Sequence, residues 1–584
     1  MNGASHLPKF AREFFGSTED FTIIGAGSIG GKARGLAFIK ETLAASPAAS
    51  AAATSTPGLA VSIPRLTVLA TDLFDLFLDQ NKLRDIAHSD ESDSHIAHAF
   101  QKGSLPVEIV GDLKSLVDQV HQPLAIRSSS LLEDAMYRPF AGVYGTKMIP
   151  NNQPDADSRF RKLVEAIKFV WASTFFKDAK AYIRSTDQSP RDEKMAVIIQ
   201  EVVGRRHGDR FYPDVAGVAR SYNFYPLGHA KPRDGVVGLA LGLGRTIVDD
   251  GVAWNYSPAF PRANPPYASI RELLYQTQRE FWAVNMGKPP AFDPVNEAEY
   301  LIKASLAEAE ADGTLRFVAS TYDPQSDRLS PGTGPAGPRA LTFAPLLNLD
   351  VFPLNKLVRG LLAECEQAVG AEVEIEFAVT LPDSTDGEAR FGFLQIRPLV
   401  VSSAEIAIAP EEMAGANVLA ATTAALGNGT NDTICDVVYL KPAAFAMTHT
   451  RRIAAEIEAI DRDLAAAGRP YLLIGFGRWG SSDPWLGVPV AWSQIAGAKV
   501  IIEASLPEVS PDPSQGTHFF HNLTSFGVPY FTVRHTGPYA IDWAWLDRQP
   551  AAAETELVRH VHLPSPLRVK VDGRTGCGVI HHPV

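Results

Sequence analysis

The chain has 584 residues, 45% of them hydrophobic and 21% charged, and its formal net charge is −12. This length predicts roughly three to four domains. No apolar run approaches the roughly 20 residues that a membrane span needs. The sequence has no dense Lys/Arg run of the kind that binds the phosphates of nucleic acid. Its three scattered cysteines argue against a zinc knuckle or a disulfide framework. We therefore expect a soluble, cytoplasmic protein without membrane or nucleic-acid partners.

The predicted elements alternate between strands and helices. FTII (21–24) predicts a strand, GGKARGLAFIKETL (30–43) a helix, residues 165–184 a long amphipathic helix, and residues 450–467 a further helix. The Ala/Ser-rich stretch 44–58 and the Pro/Gly-rich stretch 324–340 have no apolar face to bury, so we expect both to be flexible surface loops. The pattern predicts an α/β (α+β) fold.

The first helix begins in a glycine-rich segment, Gly25 to Gly30, that has the spacing GxGxxG. A dinucleotide site would also need an acidic residue about 20 positions further on, but after Glu41 the next acid is Asp72. The Walker A spacing fails as well. Two interpretations remain: an anion site built from backbone N–H groups and Lys32 at a helix N-terminus, or a tight turn with an exposed lysine.

The segment RSSS (127–130) follows an apolar run and predicts a strand end that carries an arginine. The planar fork of Arg127 can donate two parallel hydrogen bonds, which suits a phosphate. The alternative interpretation is a structural ion pair with Glu133.

The sequences AEVEIEFAV and RFGFLQIRPLV predict an antiparallel hairpin. Glu374 and Glu376 are two residues apart and therefore share one face, as do Gln395 and Arg397 on the partner strand. Two such carboxylates repel each other unless a cation lies between them, and their oxygens suit Mg²⁺. The alternative is the solvent-facing polar side of an edge hairpin.

Six motifs in this order resemble the ATP-grasp nucleotide-binding domain of pyruvate phosphate dikinase and phosphoenolpyruvate synthase, over about residues 20–402. The motifs are GSIGGKARGL, AIRSSSLLEDAMYRPFAGVY, VWASTFFKDAKAYIRS, MAVIIQEVVG, GLGRTIVDDGVAWNYSP, and the hairpin pair VEIEFAV with FLQIRP. We expect two ATP-grasp lobes, residues 1–215 and 216–402, and a smaller C-terminal α/β domain, residues 403–584.

The resemblance implies ATP and Mg²⁺ as cofactors and assigns a role to each matching position. Arg245 departs from the pattern, because the synthase relatives carry a glutamate after the GLG turn. The implied roles are phosphate contact and catalysis for Lys32 and Arg127, closure over the triphosphate for Phe140–Tyr144 with Gly142, adenine contact for Gln200, Glu201 and Val203, nucleotide contact for Glu374, Gln395 and Arg397, and metal binding for Glu376 and Gln395.

About 180 residues follow residue 402, fewer than the roughly 250 of a (β/α)₈ barrel, so no pyruvate-binding barrel is expected among them. The family's phosphohistidine signature is absent. His518, followed by Gly527-Val-Pro at the family's spacing, is the candidate carrier in a diverged phosphohistidine-like domain, with His521 as a competitor. The alternative for His518 is a hydrogen-bonded histidine in a Phe-rich core. The loop 475–485 suits either an anionic or planar ligand or a turn with both tryptophans packed.

The resulting hypothesis is an ATP- and Mg²⁺-dependent phosphotransferase that passes a phosphoryl group through a histidine to an unknown acceptor, a small molecule or another protein. The competing hypothesis is a non-catalytic ATP sensor whose C-terminal domain binds a partner.

Overall fold

The computed structural model divides the chain into two compact units. The first unit comprises Met1–Asn223, Gly228–Ile247 and Val252–Leu399, and the second comprises Phe224–Leu227, Val248–Gly251 and Val400–Val584. Helices and strands are both abundant, so the predicted mixed α/β class is confirmed. The structure describes residues 7–12, 20–54, 58–131, 142–184, 193–224, 226, 229–249, 251–263, 269–384, 387–399, 406, 408–481, 483–507, 509, 519, 523, 527–573 and 575–583.

The first unit contains a five-stranded sheet, here called the N-terminal sheet. Its strands are, in spatial order, Phe21–Ile24, Leu66–Leu69, Met195–Glu201, Leu124–Ser130 and Thr146–Ile149. The first two strands are parallel and all other neighbours are antiparallel. Every residue of Phe21–Ile24 and of Leu66–Leu69 is buried, which explains why these segments read as continuous apolar runs.

A six-stranded sheet, here called the central sheet, carries the predicted hairpin. Its strands are, in spatial order, Trp254–Tyr256, Val236–Ala240, Val215–Arg220, Val373–Thr380, Ala389–Pro398 and Leu59–Ser62. The hairpin is confirmed, with an irregularity in register between Glu376 and Phe377. Ile375 lies in the main hydrophobic core together with Leu361 of the helix Leu354–Val369. Glu374 and Glu376 therefore point to the opposite face.

Two smaller sheets complete the strands of the first unit. One sheet consists of Leu301–Ser305, Glu280–Asn285, Arg210–Tyr212 and Arg205–His207, and the other of Arg328–Pro331, Ala319–Asp323 and Arg339–Leu341. The prediction of a flexible loop over 324–340 was wrong, because two strands of the second sheet lie in it. Both flank Ala319–Asp323 as edge strands, which need no apolar face to pair their backbones.

The α-helices of the first unit cover and connect these sheets. Residues 165–184 do not form one helix as predicted, because the chain turns after Ser173 and the Asp93 carboxylate accepts the Lys177 N–H at 2.8 Å to start a second helix. The described helices are Gly30–Ala44, Pro47–Thr54, Thr71–Gln80, Arg84–His88, Asp93–Lys102, Val107–Gln119, Ala156–Ser173, Lys177–Arg184, Arg245–Val248, Ile270–Gln276, Leu306–Ala311, Ala344–Leu347 and Leu354–Val369, with 3₁₀ turns at Pro232–Asp234 and Thr314–Phe317.

The Ala/Ser-rich stretch 44–58 was wrongly predicted to be a flexible loop. It contains the helix Pro47–Thr54, which packs on the helix Leu354–Val369. Alanine is the best helix former, and the Glu364 carboxylate accepts the Ala48 N–H at 2.9 Å near the helix start. Tight helix packing, not an apolar side-chain stripe, stabilises the segment: a Cβ on Gly360 would lie 2.4 Å from that of Ala48.

The second unit is built on a seven-stranded sheet. Four consecutive strands in it are parallel, namely Asp436–Leu440, Tyr471–Phe476, Ala498–Ala504 and Tyr530–Val533. The predicted helix 450–467 is confirmed as Thr450–Ala466. The other strands of this sheet are Ala425–Leu426, Val558–His562 and Ala551–Glu554.

The remaining elements of the second unit form two further sheets and short helices. The four-stranded sheet is Val418–Thr422, Cys577–His581, Arg568–Asp572 and Asn428–Asn431; Arg478–Trp479 pairs with Gly487–Val488; the short α-helices are Pro410–Met413 and Trp543–Arg548; and the 3₁₀ turns are Pro442–Ala444, Met447–His449 and Trp492–Gln494.

Throughout the part of the chain that the structure describes, no helix combines the length and apolar character needed to cross a bilayer.

Candidate functional site

The glycine-rich turn already binds an anion from the protein itself. The Ala26 and Gly27 N–H groups donate to the two Asp72 carboxylate oxygens, each at 2.9 Å, and the Ser28 N–H donates to Thr71 Oγ1 at 3.0 Å. A Cβ on Gly27 would lie 2.6 Å from the Asp72 backbone nitrogen, so this turn is shaped to receive the start of the helix Thr71–Gln80. The backbone amides of Ala26 and Gly27, expected to approach a phosphate, instead hold the Asp72 carboxylate in this structure.

Gly30 and Lys32 lie against the strand that carries Arg127. Gly30 has a φ of +73°, and a Cβ there would lie 1.7 Å from the Ser129 carbonyl oxygen. Ser129 Oγ accepts the Ala33 N–H at 3.0 Å and donates to the Ile29 carbonyl oxygen at 2.8 Å. These contacts bring the first turn of the helix onto the end of the strand, where Lys32 Nζ donates to Ser128 Oγ at 3.1 Å.

Replacing Gly30 by alanine is expected to lower the free energy of unfolding by at least about 2 kcal/mol, because it combines a left-handed backbone with a steric clash. The measurement is urea unfolding followed by circular dichroism. Gly208→Ala is the matched control, since Gly208 also has a positive φ, +60°, but a Cβ there meets nothing within 4 Å. Equal losses in the two variants would show that the close approach to Ser129 is not important for stability.

Arg127 connects the N-terminal sheet to the central sheet. Its Nη1 donates to Gln200 Oε1 at 3.2 Å and to the Leu394 carbonyl oxygen at 2.9 Å, and its Nη2 donates to Gln395 Oε1 at 2.6 Å. Its side chain is 14% exposed and lies 3.8 Å from Glu376 Oε2. Arg127 thus contacts Leu394 and Gln395, which lie more than 250 positions further along the chain. Glu133, its partner in the alternative prediction, lies outside the described residues.

The segment 200–203, which the resemblance predicts to contact adenine and which is here called the hinge, begins at the end of the strand Met195–Glu201. Gln200 is buried and donates through Nε2 to the Pro64 carbonyl oxygen at 3.4 Å. The Glu201 N–H donates to the Arg65 carbonyl oxygen at 3.0 Å, and burial raises the pKa of the Glu201 carboxyl although Arg65 opposes the shift. Gly392 approaches Val203 so closely that a Cβ there would lie 2.5 Å from Val203 Cγ2.

An apolar cluster adjoins this hinge and includes its residue Val202. Its buried members are Phe211, Leu243, Val284 and Met286, and its partly buried members besides Val202 are Met148, Trp282 and Leu301. Arg245, which departs from the family pattern, stacks its guanidinium over the Trp282 ring at 5.4 Å from the ring centroid. The hinge is therefore flanked by apolar side chains, while the N–H groups of Glu201 and Val202 donate to the Arg65 and Pro123 carbonyl oxygens.

The hairpin residues form a chain of alternating charges. Glu374 lies opposite Arg220 on one neighbouring strand and opposite Arg397 on the other. Its carboxylate accepts from Arg220 Nε at 2.5 Å and from Arg397 Nε at 2.7 Å. Arg397 Nη2 also donates to Glu376 Oε1 at 3.0 Å, and Glu376 in turn faces Arg127.

The cation between the two glutamates is therefore Arg397. The Glu374 side chain is 0% exposed and that of Arg397 is 4% exposed, so the alternative of a solvent-facing edge hairpin was wrong. Both hairpin strands have further neighbours, Val215–Arg220 and Leu59–Ser62. Three guanidinium groups thus gather around these two carboxylates, an arrangement that suits an anionic ligand better than a bare cation.

Arg220 is a member of this cluster that the sequence analysis missed. It ends the strand Val215–Arg220, whose six residues are all buried. A buried arginine needs a counter-charge, and the strand-end position of this one, in VAGVAR, was a usable signal. Its partner Glu374 is 154 residues away, so only the pairing of the strands identifies the contact.

The loop expected to close over the triphosphate is only partly described. Phe140 and Ala141 lie outside the described residues. Gly142 has a φ of +65°, and Tyr144 is buried and donates to Glu193 Oε2 at 3.0 Å. The described end of this loop is therefore anchored to the protein.

The candidate histidines His518 and His521 also lie outside the described residues. In the loop 475–485, Trp479 is buried and its indole Nε1 donates to the Ile502 carbonyl oxygen at 3.2 Å, whereas Trp485 is 68% exposed. The alternative of a turn with both tryptophans packed thus holds for Trp479 alone. Within the ranges that the structure describes, no group of three or more His, Cys, Asp or Glu residues is arranged to hold a metal ion.

The mixed α/β fold and the cluster of arginines are joined by a family match that indicates a nucleotide-binding class of protein. The family model described as the pyruvate phosphate dikinase AMP/ATP-binding domain matches residues 26–416. The chain belongs to this family. No curated protein matches the chain.

Proposed function

We propose that the chain is an ATP- and Mg²⁺-dependent phosphotransferase of the dikinase type, which transfers a phosphoryl group by way of a histidine to a further acceptor. The observation that carries the proposal is the convergence of Arg127, Arg220 and Arg397 on one largely buried cluster. Guanidinium groups held close together repel one another unless anions compensate them, and their donors suit the phosphates of a nucleotide.

In this proposal the nucleotide lies between the hinge and the arginine cluster. The apolar cluster beside Val202 supplies van der Waals contact for adenine. Arg127 and Lys32 contact the phosphates, since both lie at or beside the strand Leu124–Ser130. Positioning and charge neutralisation by these residues would supply most of the rate enhancement, as in phosphoryl transfer generally.

The oxygens of Glu376 and Gln395 fit Mg²⁺. The two residues are directly opposite each other across the hairpin. Mg²⁺ prefers oxygen ligands, and one carboxylate and one amide oxygen can bind it together with water and phosphate oxygens. Glu374 does not fit, because it is fully buried and Arg220 and Arg397 occupy its two oxygens. When bound, Mg²⁺ would neutralise charge on the transferring phosphoryl group.

The test is incubation with γ-labelled and β-labelled ATP, following the label on the intact protein. Attack by an imidazole nitrogen on the γ-phosphorus forms an N–P bond and releases ADP; attack on the β-phosphorus transfers a pyrophosphoryl group and releases AMP. We expect acid-labile label that is lost in His518→Ala and retained in His521→Ala. If neither label nor ADP nor AMP appears, the enzymatic proposal fails.

The second candidate function is a non-catalytic ATP sensor. It is favoured by Arg245, which stacks on Trp282 where the synthase relatives carry a glutamate. It predicts unlabelled protein with intact ATP binding. Equilibrium dialysis with ATP in the same preparation distinguishes this case from a protein that binds no nucleotide.

A further inference from the structure

The proposed metal ligands are occupied by the protein's own cations. Gln395 Oε1 accepts from Arg127 Nη2 at 2.6 Å, and Glu376 Oε1 accepts from Arg397 Nη2 at 3.0 Å. The second carboxylate oxygen of Glu376 lies 3.8 Å from Arg127 Nη2. Both side chains expected to bind a divalent cation are therefore already engaged by guanidinium groups.

We infer that Arg127 and Arg397 close the metal site, so that a divalent cation binds Glu376 and Gln395 only together with a polyphosphate that draws the two arginines away. The inference rests on the proposed function, and it adds an obligatory coupling between metal and nucleotide.

The charges of the cluster support this coupling. A divalent cation that enters alone brings two positive charges beside the guanidinium groups of Arg127 and Arg397, and it must break two charge-assisted hydrogen bonds. A triphosphate reverses both effects. It offers the guanidinium groups several anionic oxygens in place of one carboxylate and one amide oxygen, and it releases the metal ligands.

The structure also explains why the arginines can exchange partners without loss of the fold. Arg397 retains the Glu374 carboxylate, which lies 2.7 Å from its Nε and 2.6 Å from its Nη2, when its contact to Glu376 is lost. Arg127 retains Gln200 and the Leu394 carbonyl oxygen on Nη1 when Nη2 turns away from Gln395. Each arginine therefore has at least one contact that it retains and one that it can exchange.

The test measures Mn²⁺ binding to the full chain by electron paramagnetic resonance of free Mn²⁺, without nucleotide and with ATP. Chelation of Mn²⁺ by ATP in solution is the same for every variant, so the difference between the wild type and Glu376→Gln reports metal held by the protein. Without nucleotide we expect no difference between the two proteins. With ATP we expect the wild type to bind at least about tenfold more tightly than Glu376→Gln.

Arg127→Met is the decisive variant, because it opens the site without nucleotide. We expect its affinity for Mn²⁺ alone to rise about tenfold or more over the wild type. Arg390→Met is the matched control, since Arg390 is an exposed arginine on the strand Ala389–Pro398, which also carries Gln395. This variant should bind Mn²⁺ as the wild type does.

Tight binding of Mn²⁺ by the wild type without nucleotide would overturn the inference, as would an unchanged affinity in folded Arg127→Met. Should that variant not fold, the two wild-type measurements still decide. Failure of the proposed function has a different signature: ATP does not bind at any metal concentration, whereas the effect of Arg127→Met on bare Mn²⁺ does not depend on ATP.

Discussion

Replacing Glu374 by glutamine is expected to lower the free energy of unfolding by about 3–5 kcal/mol, because it leaves two buried guanidinium groups without their shared counter-charge. Glu374 contacts both Arg220 and Arg397, and its side chain is fully buried. Glutamine has nearly the same shape, so the loss reports charge and not packing volume. Urea unfolding monitored by fluorescence and circular dichroism measures the change.

Glu376→Gln is the informative comparison for this experiment. Glu376 is two residues along the same strand but is 18% exposed, and it lies 3.0 Å from Arg397 Nη2 and 3.8 Å from Arg127 Nη2. We expect a loss of about 1 kcal/mol or less in stability, as for a partly solvated ion pair. The two glutamates look equivalent in sequence, and similar losses in stability would refute the distinction between a structural and a ligand-binding carboxylate.

Replacing Arg127 by methionine is expected to weaken ATP binding about 100-fold, which corresponds to about 2.7 kcal/mol. Arg127 is the proposed bidentate phosphate contact, and hydrogen bonds to a charged group contribute about 1.5–3 kcal/mol each. Methionine retains much of the apolar stem but none of the donors. Isothermal titration calorimetry with ATP in the presence of Mg²⁺ measures the change.

Adenosine provides the specificity control for this second prediction. It lacks phosphates, so its affinity for Arg127→Met should equal its affinity for the wild-type protein. Arg390→Met should bind ATP as the wild type does. This result would exclude a general effect on ATP affinity of removing one positive charge from the protein. A uniform loss for adenosine and ATP would mean that Arg127 acts by connecting the two sheets and not by contacting phosphate.

Much of the fold could be predicted because it depends on local pattern. The apolar runs at 21–24 and in the hairpin became strands, and the apolar face of residues 450–467 became a helix. The failures share a cause. The segments 44–58 and 324–340 have little intrinsic burial pattern, and their structure comes from contacts with distant partners such as Glu364 and the strand Ala319–Asp323.

The candidate site shows the same division. The sequence indicated that Glu374 and Glu376 share a face with a cation between them, since alternation along a strand is a local property. It suggested a metal for that cation, and the structure places Arg397 there. The partner of a charge depends on which strands are neighbours, and that is decided by residues far apart in the chain.

The sequence by itself determined the family, those strands and helices that have a local apolar pattern, and the residue types that suit a nucleotide. Only the tertiary structure decided how these residues are paired: Asp72 in the glycine-rich turn, Ser129 beneath Gly30, and Arg220 against Glu374. The physical reason is that side-chain direction follows from the local backbone, whereas electrostatic and steric partners follow from packing between segments that the sequence does not place side by side.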